Sequence, residues 1–399
     1  MSYDFDRVVD RRPTESVKWN KYPPEVLPLW VADMDFPSPE PVIRALRERV
    51  EHGFFGYGVH LEISPLHEVF VERLWKRYGW RVSPEAVVLL PGVIPGFNVA
   101  CRAFASPGDG LLLQTPLYPP ILRVPGNCGL SQDEVELTRQ SDGRYAIDFE
   151  AFERAITART RVFLLCNPHN PVGRVFTRDE LARMARICLD RGLLICADEI
   201  HCDLLYSGHA HVPIASLAPE IEARTVTLMA PSKTFNLAGL KCALAVIPNA
   251  GLRERFVAAR VDLVQAVNIL GYTAALAVYR DGQPWLDALL RYLEANRDFT
   301  ADFVRRQLRG VQVAPPEGTY LAWLDCRQAR ISTGDPFTFF LERAKVAFND
   351  GTTFGRGGQG FVRLNFGCPR ARLEEGLNRM RRALAERAGA RPLALGDNG

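Results

Sequence analysis

From residue 86 to residue 248 the chain repeats one pattern: a short run of β-branched or leucine side chains, polar or glycine residues, then a longer amphipathic stretch. Six such runs follow one another: AVVLL, GLLLQT, RVFLLC, LLICAD, TVTLMA and CALAVI. They are continuously apolar rather than alternating, which is typical of strands covered by helices on both faces. One intervening stretch has helical spacing, with Thr177 as its expected cap and Gly192 as its stop. The pattern therefore predicts an α/β fold with a mostly parallel sheet.

After Gly251 the pattern changes to longer helical stretches, one of them spanning about 284–308. Two strand-like runs, TYLAWLD and FVRLNF, follow, with helices expected around 337–347 and 370–388. The proline-rich first forty residues are expected to wrap onto this unit. Because 399 residues exceed the size at which one core stops growing, we predict two domains. A large domain covers 48–285, and a smaller α+β domain is formed by 1–47 and 286–399.

Charge and cysteine usage exclude several classes of function. The 49 basic and 46 acidic residues give a net charge of +3, so neither nucleic acid nor an anionic membrane is expected as a partner. The N-terminal sequence lacks the apolar run of a signal peptide or membrane span, so we expect a cytoplasmic protein. The nine cysteines lie mostly in apolar runs without paired spacing, and are expected to be reduced and buried. We predict no metal site, since the acidic residues around Cys196 and Cys202 have no second ligand pair elsewhere.

A lysine, Lys233, follows the strand-like run TVTLM directly in the sequence APSKTFNLAGLK. At the end of a buried strand and flanked by small residues, it is an unusual place for a solvated charge. Desolvation lowers the pKa of such an amine and makes it a nucleophile that can form a Schiff base with an aldehyde. A lysine reaching from a loop to solvent is the alternative on this motif alone.

Two further strand ends carry polar side chains. Asp198 ends the run LLICAD, where a carboxylate needs a cationic partner unless it merely caps a helix. Asn170 lies in NPHNPVGR, a proline-stiffened loop after another strand, where α/β sheets place ligand contacts. Asn167 and His169 of the same loop are better interpreted as parts of a rigid turn.

Three other motifs suit an anionic or flat ligand. PGVIPGF lies between a strand and a helix, so its amides open a helix N-terminus that can bind phosphate, and Ser232 and Lys241 could add a hydroxyl and a charge. Tyr118 follows a strand and could stack on a ring or belong to the core. Arg363 lies inside an apolar strand, where its planar fork suits a carboxylate, an internal salt bridge being the competing interpretation.

In this order, the motifs GYG, PGVIPG, TPLYPP, NPHNPVG, ADEIH, SKTFNLAGLK, EGTYLAWLD and FVRLNFGCPR resemble the pyridoxal-phosphate (PLP) enzymes of the aspartate-aminotransferase superfamily, fold type I. WVADMDFPSP, His201 and FNDGTTFG most closely resemble the carbon–sulfur β-lyases of the MalY/PatB type, often called cystathionine β-lyases. The match runs from about Asp33 to Arg370. It implies PLP as cofactor, a seven-stranded, mostly parallel sheet between helices beside a smaller α+β domain, and a homodimer with shared active sites.

The resemblance also assigns roles to residues. Lys233 would hold the cofactor and act as the catalytic base, and Asp198 would pair with the pyridine nitrogen. Asn170 would donate to the phenolic oxygen and, with Tyr118 and Arg363, bind the substrate. The other cofactor contacts would be Gly92, Val93, Ile94, Tyr118, His201, Ser232 and Lys241, with Tyr57 reaching across from the second subunit. His201 stands where aminotransferases have a tyrosine, and Lys241 where they have an arginine.

The predicted reaction is a β-elimination on an L-cysteine conjugate such as cystathionine, which yields a thiol, pyruvate and ammonia. An aminotransferase is the alternative, since the early steps are shared and only the resemblance favours the lyase. A cofactor-binding protein without catalysis would lack Lys233 or Asp198. A hydrolase built on Ser232 and Lys233 would need wider spacing than adjacent residues provide.

Overall fold

A computed structural model of the chain describes residues 3–58, 63–329, 331 and 334–388. Its strands are β1 (Leu27–Pro28), β2 (Val87–Leu90), β3 (Gly110–Thr115), β4 (Ser131–Glu136), β5 (Thr138–Arg139), β6 (Tyr145–Ala146), β7 (Thr160–Cys166), β8 (Leu194–Asp198), β9 (Thr225–Met229), β10 (Ala243–Val246), β11 (Leu321–Asp325), β12 (Val346–Ala347), β13 (Asn349–Asp350) and β14 (Phe361–Asn365). Its α-helices are α1 (Val17–Asn20), α2 (Glu40–His52), α3 (Pro65–Tyr78), α4 (Val93–Phe104), α5 (Pro119–Leu122), α6 (Val124–Cys128), α7 (Phe149–Ala155), α8 (Arg178–Asp190), α9 (Pro219–Glu222), α10 (Pro231–Thr234), α11 (Ala250–Arg260), α12 (Ile269–Asp281), α13 (Gln283–Gln307), α14 (Pro336–Phe339) and α15 (Arg370–Ala388). Within these residues, no helix has the length and apolarity needed to cross a membrane.

Seven strands form the central sheet, in the order β2-β10-β9-β8-β7-β3-β4. The strands from β9 to β4 pair in parallel, whereas β10 is antiparallel to both of its neighbours. Helices α4 and α11 pack on one face of the sheet, and α7 and α8 pack on the other. The predicted α/β architecture with a mostly parallel seven-stranded sheet is confirmed. Strand β4 carries no apolar pattern, because its sequence SQDEVE lies at the sheet edge and pairs only with β3.

Helix α8 has the predicted ends. The Thr177 hydroxyl accepts a hydrogen bond from the Glu180 amide at 3.2 Å, and the Glu180 carboxylate accepts one from the Thr177 amide at 2.8 Å. This reciprocal pair is a capping box. Gly192, with φ of +71°, follows the last turn in a conformation that favours glycine. The helix connects β7 to β8, with which β7 pairs in parallel.

A second layer is built around the antiparallel sheet β11-β14-β13. The N-terminal arm, residues 17–36, packs on it: Trp19, Leu27, Leu29 and Met34 share one hydrophobic core with residues of α13, β11, β14 and α15. Strand β1 also pairs in parallel with β12. This is the expected α+β unit, with the first part of the chain wrapped onto it. The boundaries 48–285 and 1–47 with 286–399 stay a prediction, and residues 1–2, 59–62, 330, 332–333 and 389–399 lie outside the described part.

The segment 337–347, predicted as one helix, is only partly helical. Helix α14 is followed by a π-helical turn over Phe340–Ala344, and the next residues form β12. Lys345 adopts φ of +53°, which ends the helix. Its carbonyl and that of Ala347 accept hydrogen bonds from the backbone of the N-terminal arm, each at 2.9 Å. The prediction was wrong here because strand pairing with a distant segment overrides the local pattern.

All nine cysteines are free thiols, as expected from their spacing. Eight are buried, and Cys128 is half-buried. Burial raises the pKa of Cys242 to about 12, and it raises the pKa of Cys101 well above its ordinary value. These thiols are therefore protonated packing groups at neutral pH.

Candidate functional site

A cavity of about 410 Å³ opens at the carboxyl edge of the central sheet. Strands β2, β3, β7, β8 and β9 end at this edge, so the segments that follow them form its walls. Ten of the predicted residues line it: Gly92, Val93, Ile94, Tyr118, Asn170, Asp198, His201, Ser232, Lys233 and Lys241. The parallel order of the strands thus brings together side chains that are far apart in sequence.

Lys233 lies in α10, which begins two residues after β9 ends. Its Nζ donates a hydrogen bond to the main-chain carbonyl of Ala32 at 2.7 Å, and both residues line the cavity. Burial, followed by the charge of Arg363, lowers the pKa of Lys233 to about 8. Its amine is thus directed into the cavity rather than toward bulk solvent. Such an amine reaches its neutral, nucleophilic form near physiological pH.

Asp198 is the last residue of β8 and is 4% exposed. Its Oδ1 accepts a hydrogen bond from the Ile200 amide at 3.2 Å, and no basic side chain among the described residues forms an ion pair with it. Burial raises its pKa to about 7. No α-helix begins directly after Asp198, since residues 200–203 form a turn, so the helix-cap interpretation does not apply. A buried carboxylate in this state gains most from a cationic ligand in the cavity.

The His201 ring stands neutral at the cavity wall. It is 2% exposed, and its Nδ1 has no hydrogen-bond partner among the residues that the structure describes. Burial, together with the charges of Lys233 and Arg363, lowers its pKa to about 3. Its ring packs edge-on against Tyr320, with centroids 6.1 Å apart. An unpartnered, uncharged ring of this kind can contact a flat ligand without adding a charge.

The N-terminus of α4 opens onto the same cavity. Gly92 precedes the helix, no side chain caps its first turn, and Val93 and Ile94 line the cavity. The first amides of α4 are therefore available to an anion. Ser232 and Lys241 lie on the same wall, and Lys241 makes no ion pair with any described residue. These residues thus lie together, and their predicted role in holding a phosphate stays a prediction.

Arg363, in β14, is 3% exposed and is held by neutral acceptors only. Its guanidinium donates to Asn170 Oδ1 at 2.9 Å, Asn349 Oδ1 at 2.7 Å and the Trp30 carbonyl at 3.3 Å, while its Nε has no partner. Burial lowers its pKa to about 10, so it stays cationic at neutral pH. No acidic side chain in the described ranges pairs with it, and the internal salt bridge is not found. Arg363 lies behind the cavity wall and reaches the cavity through Asn170.

This contact also orients Asn170. Because its Oδ1 accepts from Arg363, its amide group remains available to donate into the cavity. Tyr118 lines the cavity as well, and burial raises its pKa, so it is a neutral phenol at physiological pH. Both residues therefore offer neutral hydrogen-bonding groups, as their predicted roles require.

Tyr57 lies outside the cavity of its own chain. Its side chain is fully exposed, and the neighbouring Phe54 and Phe55 are exposed too. Among the residues that the structure describes, no contact brings Tyr57 to the other predicted residues. Its predicted contact with a second subunit stays a prediction.

Two contributors carry no side-chain signal that identifies them from the residues alone. Ala32 enters the site through its carbonyl, and Asn349 enters as a partner of Arg363. Both lie in segments, WVADMDFPSP and FNDGTTFG, that stand out only by resemblance. Main-chain contacts between distant segments leave no local pattern.

The residues present fit PLP. A buried carboxylate without a cation suits the pyridine nitrogen, and the free α4 N-terminus suits the phosphate. The amine of Lys233 suits the aldehyde, and the unpartnered atoms of His201 and Arg363 leave polar groups for ligands. The arrangement can bind an amino acid by its carboxylate and place a base beside it.

Residues 24–380 match the family model described as aminotransferase class I and II. Cystathionine beta-lyase PatB of Bacillus subtilis (strain 168) is 39% identical over 389 residues, which cover 96% of this chain and 100% of PatB. The crystal structure of OvoB has a TM-score of 0.91 at 45% identity, over 96% of this chain and 99% of OvoB. Cystalysin from Treponema denticola, whose crystal structure contains PLP, has a TM-score of 0.91 at 33% identity, over 97% of this chain and all of cystalysin. The similarity extends over nearly the whole chain.

Proposed function

The chain belongs to the aminotransferase class I and II family, and within it we propose a PLP-dependent carbon–sulfur β-lyase. Its substrates are L-cystathionine or related cysteine conjugates, and its products are a thiol, pyruvate and ammonia. The observation that carries the proposal is the amine of Lys233, with a pKa lowered to about 8, in a cavity shared with the unpaired carboxylate of Asp198. The similarity to PatB, which is named a cystathionine beta-lyase, supports the elimination over other reactions of the family.

Each residue of the cavity has a part in this reaction. PLP supplies the electron sink that stores the pair released at the substrate Cα. Asp198 holds a proton on the ring nitrogen, because a cation beside it relieves the cost of its buried charge. The α4 amides, Ser232 and Lys241 hold the phosphate. Lys233 in its neutral form takes the Cα proton.

Arg363, Asn170 and Tyr118 are the residues that we assign to orienting the substrate. The positive charge of Arg363 lies directly behind Asn170 and would attract the α-carboxylate, which Asn170 and Tyr118 at the cavity wall would contact. A carboxylate held at this wall cannot rotate freely, which would limit the positions that the Cα–H bond can take relative to Lys233. His201 contacts the ring without protonating it, because its pKa is lowered to about 3.

The reaction class can be tested directly. The holoenzyme with cystathionine and no keto acid should release thiol and pyruvate in equal amounts. L-Methionine is the matched control: its sulfur is attached to the γ-carbon, so elimination across Cα–Cβ cannot expel it. The alternative, an aminotransferase, would need 2-oxoglutarate and would release no thiol. Keto-acid-dependent transfer without thiol release would contradict the lyase.

We further propose a homodimer in which Tyr57 reaches the phosphate site of the partner. Tyr57, Phe54 and Phe55 form an exposed aromatic stretch, and Ile94 at the cavity is 43% exposed. Exposed apolar side chains in this number are typical of an interaction surface. A twofold interface would place the same surface on both chains and give two shared sites.

Mixing two defective variants, at a cofactor concentration too low to saturate Tyr57→Ala, tests the shared site. Tyr57→Ala should weaken cofactor binding at least about tenfold, since a hydrogen bond to a charged group contributes about 1.5–3 kcal/mol. Lys233→Ala lacks the base. After subunit exchange between the two variants in equal amounts, about one quarter of wild-type activity should return, because each hybrid dimer has one native site.

The control mixes Lys233→Ala with Lys233→Met, a pair in which no site regains its lysine. That mixture should stay inactive. No recovery in hybrids verified by mass spectrometry would show that Tyr57 serves its own chain.

A further inference from the structure

One hydrogen bond in the cavity comes from the main chain of the N-terminal arm. The carbonyl oxygen of Ala32 accepts from Lys233 Nζ at 2.7 Å and from the Tyr320 hydroxyl at 3.1 Å. For Lys233 it is the one hydrogen-bond acceptor found among the described residues, and none of their carboxylates lies within ion-pair distance of the amine. Ala32 thus provides the direct contact of the catalytic amine.

Two side chains hold this part of the arm. Asn365, the last residue of β14, donates through Nδ2 to the carbonyls of Val31 at 2.7 Å and Asp33 at 2.9 Å, on either side of Ala32. Asn236 donates to the carbonyls of Met34 at 2.9 Å and Phe36 at 2.8 Å. These contacts tie the arm to β14 and to the segment just after α10.

We infer that the Ala32 carbonyl receives the Lys233 amine whenever that amine is free of the cofactor, and that Asn365 is the positioning residue that holds this carbonyl in place. The inference rests on the proposed role of Lys233. When Lys233 takes the Cα proton, the new N–H bond turns its amine into an ammonium, and the bound cofactor would supply the sink for the electron pair left at Cα. The ammonium then donates a charge-assisted hydrogen bond to Ala32.

The charged surroundings of Lys233 make this one contact matter. Arg363 from β14 and Lys241 before β10 disfavour the ammonium, while Asp33 on the arm and Asp198 from β8 favour it from a distance. His201 is neutral, and the Tyr320 phenol stays protonated because burial raises its pKa. The remaining local stabilisation of the ammonium comes from the Ala32 carbonyl. If the Ala32 carbonyl moves away from the amine, the pKa of Lys233 should therefore fall.

The experiment compares two buried asparagines. Asn365→Ala removes the amide that holds the arm, whereas Asn296→Ala removes an amide that donates to the Phe366 and Cys368 carbonyls at 3.0 and 2.9 Å and does not touch the arm. In the full chain stripped of cofactor, labelling of Lys233 by acetic anhydride is followed against pH by mass spectrometry. The midpoint gives the pKa of the amine.

We expect the midpoint to fall by about one pH unit or more in Asn365→Ala, because a hydrogen bond to a charged group is lost. It should be unchanged in Asn296→Ala. In the holoenzyme, the acid limb of the pH profile of kcat should move to lower pH in Asn365→Ala. It should not move in Asn296→Ala. A wild-type midpoint in folded Asn365→Ala overturns the inference.

If Asn365→Ala does not fold, the labelling is repeated on a milder variant, Asn236→Gly. Asn236→Gly removes the side chain that donates to the Met34 and Phe36 carbonyls. It should keep the backbone conformation, since Asn236 has φ of +58°, which glycine adopts readily. It should lower the midpoint in the same direction by a smaller amount, and an unchanged midpoint overturns the inference. The labelling result does not depend on turnover. Absence of thiol release from the wild type would instead contradict the proposed function.

Discussion

Replacing Lys233 with alanine should abolish thiol and pyruvate release while leaving the fold intact. Loss of the base alone should lower kcat by about 10²- to 10⁴-fold, and loss of the covalent hold on PLP adds to this. The fold should survive, because the amine makes one hydrogen bond and no ion pair among the described residues. Activity is measured as pyruvate formation from cystathionine, and folding by circular dichroism.

A second variant and a rescue experiment distinguish the loss of the basic amine of Lys233 from the loss of its positive charge. Lys233→Arg retains a cation but cannot supply a neutral base, since the guanidinium keeps its proton at all working pH values, so it should be as inactive as the alanine variant. A small primary amine such as methylamine should restore part of the activity to Lys233→Ala. Wild-type rates in either variant would end the proposed role of Lys233.

Replacing Asp198 with asparagine should stabilise the cofactor-free protein and weaken the holoenzyme. The carboxyl has an ordinary pKa of 3.8 and a pKa of about 7 when folded, because burial disfavours its charge. Between these values the folded chain binds a proton that the unfolded chain does not, so the stability of the cofactor-free wild type falls as pH rises from about 4 to about 7. Above pH 7 the variant should be more stable by on the order of 4 kcal/mol, and below pH 4 the difference should vanish.

Urea unfolding across this pH range gives the stability, and the same titration with PLP gives the cofactor effect. PLP should stabilise the wild type more than Asp198→Asn, because only the carboxylate can pair with the ring cation. Asp203→Asn is the control with the opposite sign: Asp203 is buried but pairs with Arg73 at 2.9 Å and Arg77 at 3.0 Å, so its loss should destabilise the protein. A destabilised Asp198→Asn without cofactor would contradict the assignment.

The strand-end residues of the site could be predicted because their signal is local. Each of Asp198, Asn170 and Lys233 follows an apolar run, and a parallel sheet places the ends of such runs at one edge. The same reasoning located the α4 N-terminus. Function needed more than this, because an elimination and an amino transfer use the same residue types at the same positions. Resemblance to a family supplied that distinction.

What the sequence did not reveal depends on contacts between distant segments. Strand β4 is polar because it lies at an edge, and the short pairing of β1 with β12 exists only once both ends of the chain are folded. Ala32 acts through its carbonyl, which any residue possesses. The Tyr57 side chain is fully exposed, so its proposed role in a second subunit's site could not be checked within one chain. Such contacts are set by tertiary structure rather than by local pattern.

The hydrogen bonds between the N-terminal arm and β14 can form only late in the synthesis of the chain. Arg363 meets the Trp30 carbonyl across 333 residues, and Asn365 meets the Val31 carbonyl across 334. At a synthesis rate of about 5–20 residues per second, the N-terminal arm leaves the ribosome tens of seconds before β14. During that interval the apolar residues Leu27, Leu29 and Met34 lack the part of their core that β14 and α15 supply. We therefore expect chains that terminate before β14 to leave this arm exposed to aggregation and proteolysis.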